Sequence, residues 1–119
     1  MRKLLLRVIA FGAVAGVALA GPPQTGSASW YGDEHRGKLM ADGQPFDPDN
    51  LTAASWFYPL GTKVRVTAAG STNFVEVTVT DRGPSRKHVQ KGRIIDLSKA
   101  AFERLASRDR GLINVTVQD

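Results

Sequence analysis

The sequence predicts a mainly β domain with one short helix. Several short stretches alternate apolar and polar residues, as half-buried strands do, and only one stretch has helical spacing. Short glycine-bearing links stand between the alternating stretches. The chain has 119 residues, which is enough for one domain with a modest core and too few for two.

Four stretches have the strand pattern. In the clearest of them, Val75, Val77 and Val79 alternate with polar residues, so one face is expected to be buried. The link 68–72 is short and contains a glycine, which predicts an antiparallel hairpin between its flanking strands. The predicted strands are 27–31, 63–67, 74–80 and 112–117.

One helix is expected near the end of the chain. Ser98 can cap a helix that begins at Lys99, because a serine oxygen accepts a hydrogen bond from a free amide of the first turn. Ala101, Phe102 and Leu105 then fall on one apolar side of a helix that ends near residue 107.

The first 20 residues are predicted to be a secretory signal peptide. A basic start precedes an apolar run over 8–20, which ends in Ala18-Leu19-Ala20, a typical cleavage sequence. A membrane anchor is the alternative, but the run has 13 residues and a spanning helix needs about 20. The predicted division is a signal peptide over 1–20, a mobile leader over 21–25 and one domain over 26–119.

Composition narrows the class of protein. The chain has no cysteine, which excludes disulfides, thiol catalysis, cysteine-ligated zinc and the lipid-bearing cysteine of a lipoprotein. We therefore expect a periplasmic or secreted protein with no membrane anchor after cleavage. Removal of Arg2, Lys3 and Arg7 with the signal peptide lowers the net charge from +5 to +2. A basic cluster remains over 82–93, but its acidic neighbours argue against nucleic acid as a partner.

The segment 32–61 fits neither strand nor helix, and long irregular segments in small domains are often functional. Asp81 directly follows the predicted strand 74–80 and precedes a Gly-Pro turn, a suitable position for a catalytic acid. The alternative is an aspartate that only caps the turn.

Four motifs in this order and spacing resemble those of the rare lipoprotein A (RlpA) family. They are ASWYG at 28–32, ADGQPFD at 41–47, LTAAS with PLGT within 51–62, and DRGP with GRIIDLS within 81–98. The resemblance extends from Gly26 to the end of the chain. It implies an all-β, six-stranded double-psi β-barrel and endolytic lytic transglycosylase activity on peptidoglycan glycan strands free of stem peptides. Cell-division or wall-synthesis proteins are the further partners it implies, and no cofactor is expected.

The resemblance places active-site groups at Gln44, Asp47, Ser55 and Asp81, where the family usually has Glu, Asp, His and Asp. Asp81 is predicted to be the catalytic acid and base, with Asp47 assisting. One such group can suffice, because the muramyl 6-hydroxyl itself closes the 1,6-anhydro ring. Gln44 and Ser55 do not titrate near neutral pH and are predicted to bind the sugar. Further predicted substrate contacts are Tyr31, Trp56 and Arg82. For the aromatic run Trp56-Phe57-Tyr58, packing in a strand or loop is the alternative role.

Three further expectations concern Asp96, a metal site and an alternative function. Asp96 is expected to be structural, pairing with Arg93 or with helix amides. His35 and His88 are the only histidines and have no ligand spacing, so no metal site is expected. A non-catalytic peptidoglycan-binding or expansin-like wall-loosening module is the alternative function, favoured by the replacement of the family's Glu and His.

Overall fold

The computed structural model describes residues 21–119, so the predicted signal peptide lies outside the described residues. Within that range six strands account for most of the regular structure, together with two short helices. The strands are β1 (Gln24–Tyr31), β2 (Thr52–Ala54), β3 (Lys63–Ala68), β4 (Phe74–Asp81), β5 (Arg93–Ser98) and β6 (Ile113–Gln118). The helices are α1 (Arg86–Val89) and α2 (Lys99–Glu103), and single 3₁₀ turns span Asp33–His35 and Arg108–Arg110.

The six strands form a closed barrel in the order β1, β5, β2, β4, β3, β6. The pairs β1/β5 and β2/β4 are parallel, and the remaining pairs are antiparallel. Two parallel pairs within an otherwise antiparallel six-stranded barrel make a double-psi β-barrel. The predicted fold class is confirmed, with one short helix more than expected.

The barrel interior is a packed core of branched side chains. Val75, Val77 and Val79 of β4 are between 0% and 3% exposed, as their alternation predicts. Valines of β3 and β6 meet them inside the barrel. A barrel of so few strands has room inside for side chains only, so any binding site must lie at its rim or on its outer surface.

The predicted hairpin is also confirmed, since β3 and β4 pair antiparallel from Lys63 opposite Thr78 to Thr67 opposite Phe74. β1 begins at Gln24, earlier than expected, because Gln24 pairs with Val117 of β6. Strands β2 and β5 were not predicted. β2 has only three residues inside the irregular segment, too few for an alternation to be visible.

Helix α2 is capped as predicted, with Ser98 Oγ accepting a hydrogen bond from the Ala101 amide at 3.2 Å. It ends at Glu103, earlier than expected, and a turn continues to Leu105. Phe102 is fully buried, with its ring centroid 6.4 Å from that of Trp30. No helix within residues 21–119 has the length and apolar character needed to cross a bilayer.

Candidate functional site

A cleft of about 290 Å³ opens where strands β1, β2 and β4 end. Two carboxylates, Asp81 and Asp96, line it. They stand on the strands that flank β2, and Ala54 is the register partner of both. Because neighbouring strands are about 4.8 Å apart, the two aspartates are separated by roughly 10 Å along the barrel wall. The barrel therefore presents two acids to one cleft on a rigid framework.

Asp81 is held by backbone amides. Its Oδ1 accepts hydrogen bonds from the amides of Ala41, at 2.9 Å, and Arg82, at 2.8 Å. Its Oδ2 accepts none from residues 21–119. One amide comes from the irregular segment and the other from the turn after β4, so both elements orient this carboxylate. The free oxygen remains available to a bound molecule.

Asp96 has a different environment. Its Oδ1 accepts a hydrogen bond from Ser29 Oγ, across the parallel pairing of β1 with β5. Burial raises the pKa of Asp96, while the Ser29 hydrogen bond and the positive charges of Arg93 and His88 oppose that rise. Asp96 accepts this hydrogen bond from Ser29, whereas the sequence predicted pairing with Arg93 or helix amides. Asp96 lines the cleft because Ile95 and Leu97, its neighbours along β5, point into the core.

A glycine lets the backbone after β4 pass close to Asp96. A Cβ atom at Gly83 would lie 3.3 Å from Asp96 Oδ2 and 3.3 Å from the Cβ of Ala54. A side chain there would crowd the carboxylate. Gly83 thus brings the loop that leads to α1 directly alongside the acidic cleft.

Tyr31 places an unpaired hydroxyl in the cleft. Its oxygen is fully buried and has no hydrogen-bond partner in the described structure. Phe46 stacks on the ring at a centroid distance of 4.4 Å, and His35 meets it edge-on at 5.8 Å. Burial and the negative charges of Asp81 and Asp96 raise the pKa of Tyr31, so its hydroxyl stays protonated at neutral pH. A buried hydroxyl without a partner loses free energy that a bound ligand can restore.

The irregular segment forms one wall of the cleft. His35, Lys38 and Leu39 line that wall, and Lys38 Nζ lies 3.4 Å from His35 Nδ1. Leu39 is 75% exposed, which makes it an apolar edge of the opening. Within residues 21–119, no three His, Asp or Glu side chains are grouped closely enough to hold a metal ion.

Asp47 and Gln44 belong to the same segment but do not line the cleft. The Asp47 carboxylate lies 3.4 Å from Arg36 Nη1 and accepts a hydrogen bond from the Asp49 amide at 2.9 Å. Gln44 is exposed, and its backbone carbonyl accepts a hydrogen bond from the Met40 amide in a tight turn. In this arrangement both residues shape the segment that delivers the Ala41 amide to Asp81.

Ser55 lies behind Asp81, since its amide donates to the Asp81 carbonyl at 3.0 Å. The side chain is 1% exposed, and its Oγ accepts a hydrogen bond from the Phe57 amide. Arg82 lines the cleft and also donates from Nη1 to the carbonyls of Ser55, at 2.8 Å, and Tyr58, at 2.7 Å. These bonds fix the start of the aromatic loop that follows β2.

Trp56 is the exposed aromatic residue of that loop. It is 56% exposed, and its Nε1 donates to the Pro84 carbonyl at 2.6 Å. Pro84 follows Gly83, which lies against Asp96, so the indole stands beside the cleft with its position fixed by the hydrogen bond. Phe57, at 43% exposed, and Leu60, at 37%, extend the apolar surface.

The structure therefore brings three of the predicted site residues into one cleft, namely Asp81, Tyr31 and Arg82. His35 and Asp96 line the same cleft, although the sequence predicted no site role for His35 and a structural role for Asp96. Had β5 been predicted as a strand, the alternation of Asp96 with Ile95 and Leu97 would have indicated that its side chain points away from the core.

The fold and the cleft define a double-psi β-barrel protein with two aspartates in one cleft. The sequence model of the family described as lytic transglycolase matches residues 23–117. The chain belongs to this family.

Curated relatives named endolytic peptidoglycan transglycosylase RlpA are similar to this chain. The protein from Yersinia pestis is 48% identical over 82 residues, covering 69% of this chain and 22% of the relative. That from Neisseria meningitidis is 39% identical over 95 residues, covering 80% and 38%. That from Rickettsia felis is 41% identical over 98 residues, covering 80% and 41%. The chain thus spans only about a fifth to two fifths of these relatives.

Two solved structures have a similar fold. The Streptomyces papain inhibitor is 32% identical with a TM-score of 0.63, and the match covers 83% of this chain and 94% of the inhibitor. The apo expansin of Clavibacter michiganensis has a TM-score of 0.60 at 23% identity, covering 81% of this chain and 49% of the expansin. The second likeness concerns the fold alone.

Proposed function

We propose that this chain is an endolytic peptidoglycan lytic transglycosylase that acts in the periplasm or outside the cell. Its substrate is the glycan strand free of stem peptides, and its products end in 1,6-anhydro-muramic acid. The names of the curated relatives and the family match support this reaction. The observation that carries the proposal is the pair of aspartates with unlike environments in one cleft.

The unlike environments support different roles for the two aspartates. Burial favours the protonated form of Asp96, which suits a general acid that donates to the departing glycosidic oxygen. Asp81, oriented by two amides through Oδ1, keeps Oδ2 for the proton of the muramyl 6-hydroxyl. In this proposal Asp96 takes over the acid role that the sequence predicted for Asp81, which acts as the base. Asp47, the predicted assisting residue, does not line the cleft and has no part in the step.

The step balances without added water. The muramyl O6 attacks C1 and gives its proton to Asp81, the bond from O6 to C1 forms, and the bond from C1 to the leaving O4 breaks. Asp96 supplies the proton that O4 needs. Exchange of protons with solvent then restores both aspartates for the next cycle.

The remaining contacts hold the sugar. The unpaired Tyr31 hydroxyl donates to a sugar oxygen, and Arg82 offers further donors at the cleft wall. Trp56 provides an exposed aromatic face on which a sugar ring can stack. Gln44 contributes from the rim, and Ser55 acts from behind the cleft by fixing the aromatic loop.

Product analysis tests the proposal. The purified protein is incubated with stem-free glycan strands, and anhydro ends are sought by mass spectrometry. We expect anhydro products from the unaltered protein and from the control D47N, and a loss of at least about a hundredfold in D81N and in D96N. Absence of product from the folded, unaltered protein refutes the proposal, as does full activity in both cleft variants.

A non-catalytic glycan-binding or wall-loosening module is the second candidate. Gln44 and Ser55, which replace the family's Glu and His, favour it, and the expansin likeness makes the fold compatible with it. Binding to purified sacculi that persists in D81N, with no product from either form, supports this candidate.

A papain inhibition assay on the same samples tests the activity for which the Streptomyces protein is named.

A further inference from the structure

Within the part of the chain that the structure describes, four basic side chains between the start of α1 and the start of β5 form no ion pair with a carboxylate. The group, called here the basic patch, consists of Arg86, Lys87, Lys91 and Arg93. The first three are exposed and Arg93 is partly buried. Within residues 21–119 none of the four lies within 4.0 Å of a carboxylate, whereas Arg36, Arg65 and Lys99 each do. Within the described residues the patch is thus a run of cations without a close ion pair, and Asp96 is the acid on which the charge of Arg93 acts.

The basic patch adjoins the cleft. Its strand member Arg93 is three residues before Asp96, and its charge acts on that carboxyl. The loop that leads from β4 to α1 passes directly beside the Asp96 carboxylate at Gly83. Helix α1 is tied to this loop by the Ser85 hydroxyl, 3.0 Å from His88 Nδ1. The loop that borders Asp96 thus leads directly into α1 and the patch, so a polymer that followed this loop out of the cleft would meet the patch.

Trp56 stands at the junction of cleft and patch. Its indole is bonded to the Pro84 carbonyl, two residues before Arg86, and more than half of the side chain is exposed. An aromatic face followed by unpaired cations suits a sugar polymer that bears negative groups. A neutral polymer would use the aromatic face but would gain nothing from the cations.

We propose that the basic patch is a subsite for the free lactyl carboxylates of the glycan strand that occupies the cleft. The inference rests on the proposed glycan substrate. A muramic acid residue carries its lactyl carboxylate as a negative charge only when no stem peptide is attached, because the peptide converts that carboxylate to an amide. Arginine and lysine bind such a carboxylate through charge-assisted hydrogen bonds. The patch thereby selects strands from which the peptides have been removed.

Binding measured without turnover tests this subsite. End-labelled glycan strands are titrated with the D81N protein at low salt, and the Kd is compared with that of D81N combined with R86Q, K87Q and K91Q. The matched control combines D81N with K63Q, R104Q and R110Q, which removes the same charge from exposed cations outside the cleft wall. We expect about tenfold weaker binding from the patch variant, or about 1.4 kcal/mol, and less than twofold from the control.

Altered strands give a second measurement that needs no further variant. Strands whose lactyl carboxylates have been converted to amides are expected to bind the D81N protein about tenfold more weakly than native strands. The difference should shrink at higher salt, because exposed charge pairs are screened. Equal affinity for native and amidated strands overturns the proposal, and so does an equal loss in the patch and control variants.

Other ligands separate the sources of negative charge. Peptide-bearing strands that bind as tightly as stem-free strands would assign the patch to peptide carboxylates and refute the lactyl assignment. DNA that competes more effectively than the glycan at equal charge would assign it to nucleic acid. If glycan binding depends on the patch but the unaltered protein forms no anhydro products, the proposed reaction is refuted and the subsite is not. If anhydro products form but binding does not depend on the patch, the subsite is refuted and the reaction is not.

Discussion

Replacement of Asp96 by asparagine is expected to stabilise the fold at neutral pH while it reduces activity. Burial raises the pKa of Asp96, so the ionised form costs free energy in the folded protein. Asparagine has nearly the same shape, carries no charge, and its Oδ1 can still accept the hydrogen bond from Ser29 Oγ. The substitution therefore removes the desolvation cost and keeps the contact.

The size and sign of the effect depend on pH. A carboxyl group has a pKa near 3.9 in an unfolded chain, and that of Asp96 is higher in the folded state. Between the two values the folded protein binds more protons. Through this group alone, the unfolding free energy falls by up to about 1.4 kcal/mol per pH unit as the pH rises. The advantage of D96N should be smallest below the unfolded pKa, grow through the window and level off above the folded pKa.

Urea denaturation across the acid-to-neutral range, followed by tryptophan fluorescence, measures this difference. D47N is the control, because it removes an exposed carboxylate paired with Arg36 and should lower stability by less than about 1 kcal/mol. S29A removes a hydrogen bond that favours the ionised form, so it raises the pKa of Asp96 and extends the window upward. A D96N protein less stable than the unaltered protein at neutral pH, or an advantage that does not vary with pH, would refute the burial argument.

Three further substitutions test the fold by the same denaturation measurement. F102A should lower the free energy of unfolding by about 3 to 5 kcal/mol, because the ring is fully buried. F74A should lower it by only about 1 kcal/mol, because Phe74 is half-exposed and its ring lies 4.2 Å from the Arg65 guanidinium. Equal losses in the two variants would contradict this difference in packing. G26A should cost about 1 to 3 kcal/mol, since its Cβ would lie 2.7 Å from the Gly92 carbonyl oxygen, whereas G21A has open space and should change nothing. S98A should cost at least about 1 kcal/mol through loss of the α2 cap and of the hydrogen bond to the Asn50 carbonyl, and S98T should recover part of it.

Local pattern predicted the parts of the fold in which neighbours in sequence share one environment. The alternation of valines in β4 and the glycine-bearing link before it were sufficient for the β3–β4 hairpin. Ser98 was sufficient for the start of α2. Strand β2 could not be predicted in this way, because its three residues become a strand only through pairing with β4 and β5. Those partners are distant in the chain, and no local pattern records them.

In the candidate site, too, some residues could be predicted from near neighbours in sequence and others depend on distant strand pairing. Asp81 could be found because its strand and its Gly-Pro turn are adjacent in sequence. Asp96 could not, since its position in the cleft depends on the pairing of β5 with β1 and β2. His35 is a different case, because its ring packs against that of Tyr31 within one short local segment, and no motif in the sequence marked that contact.

By itself the sequence determined a small mainly β domain, the face of β4 that is buried, and one acid at the end of a strand. It also carried the motifs by which the family is recognised. Tertiary structure alone decided which second acid stands across from Asp81, which side chains face the cleft, and which cations remain without a partner. The physical reason is that alternation and capping act between near neighbours, whereas a carboxyl's protonation and a cation's pairing depend on groups brought close only when the barrel closes.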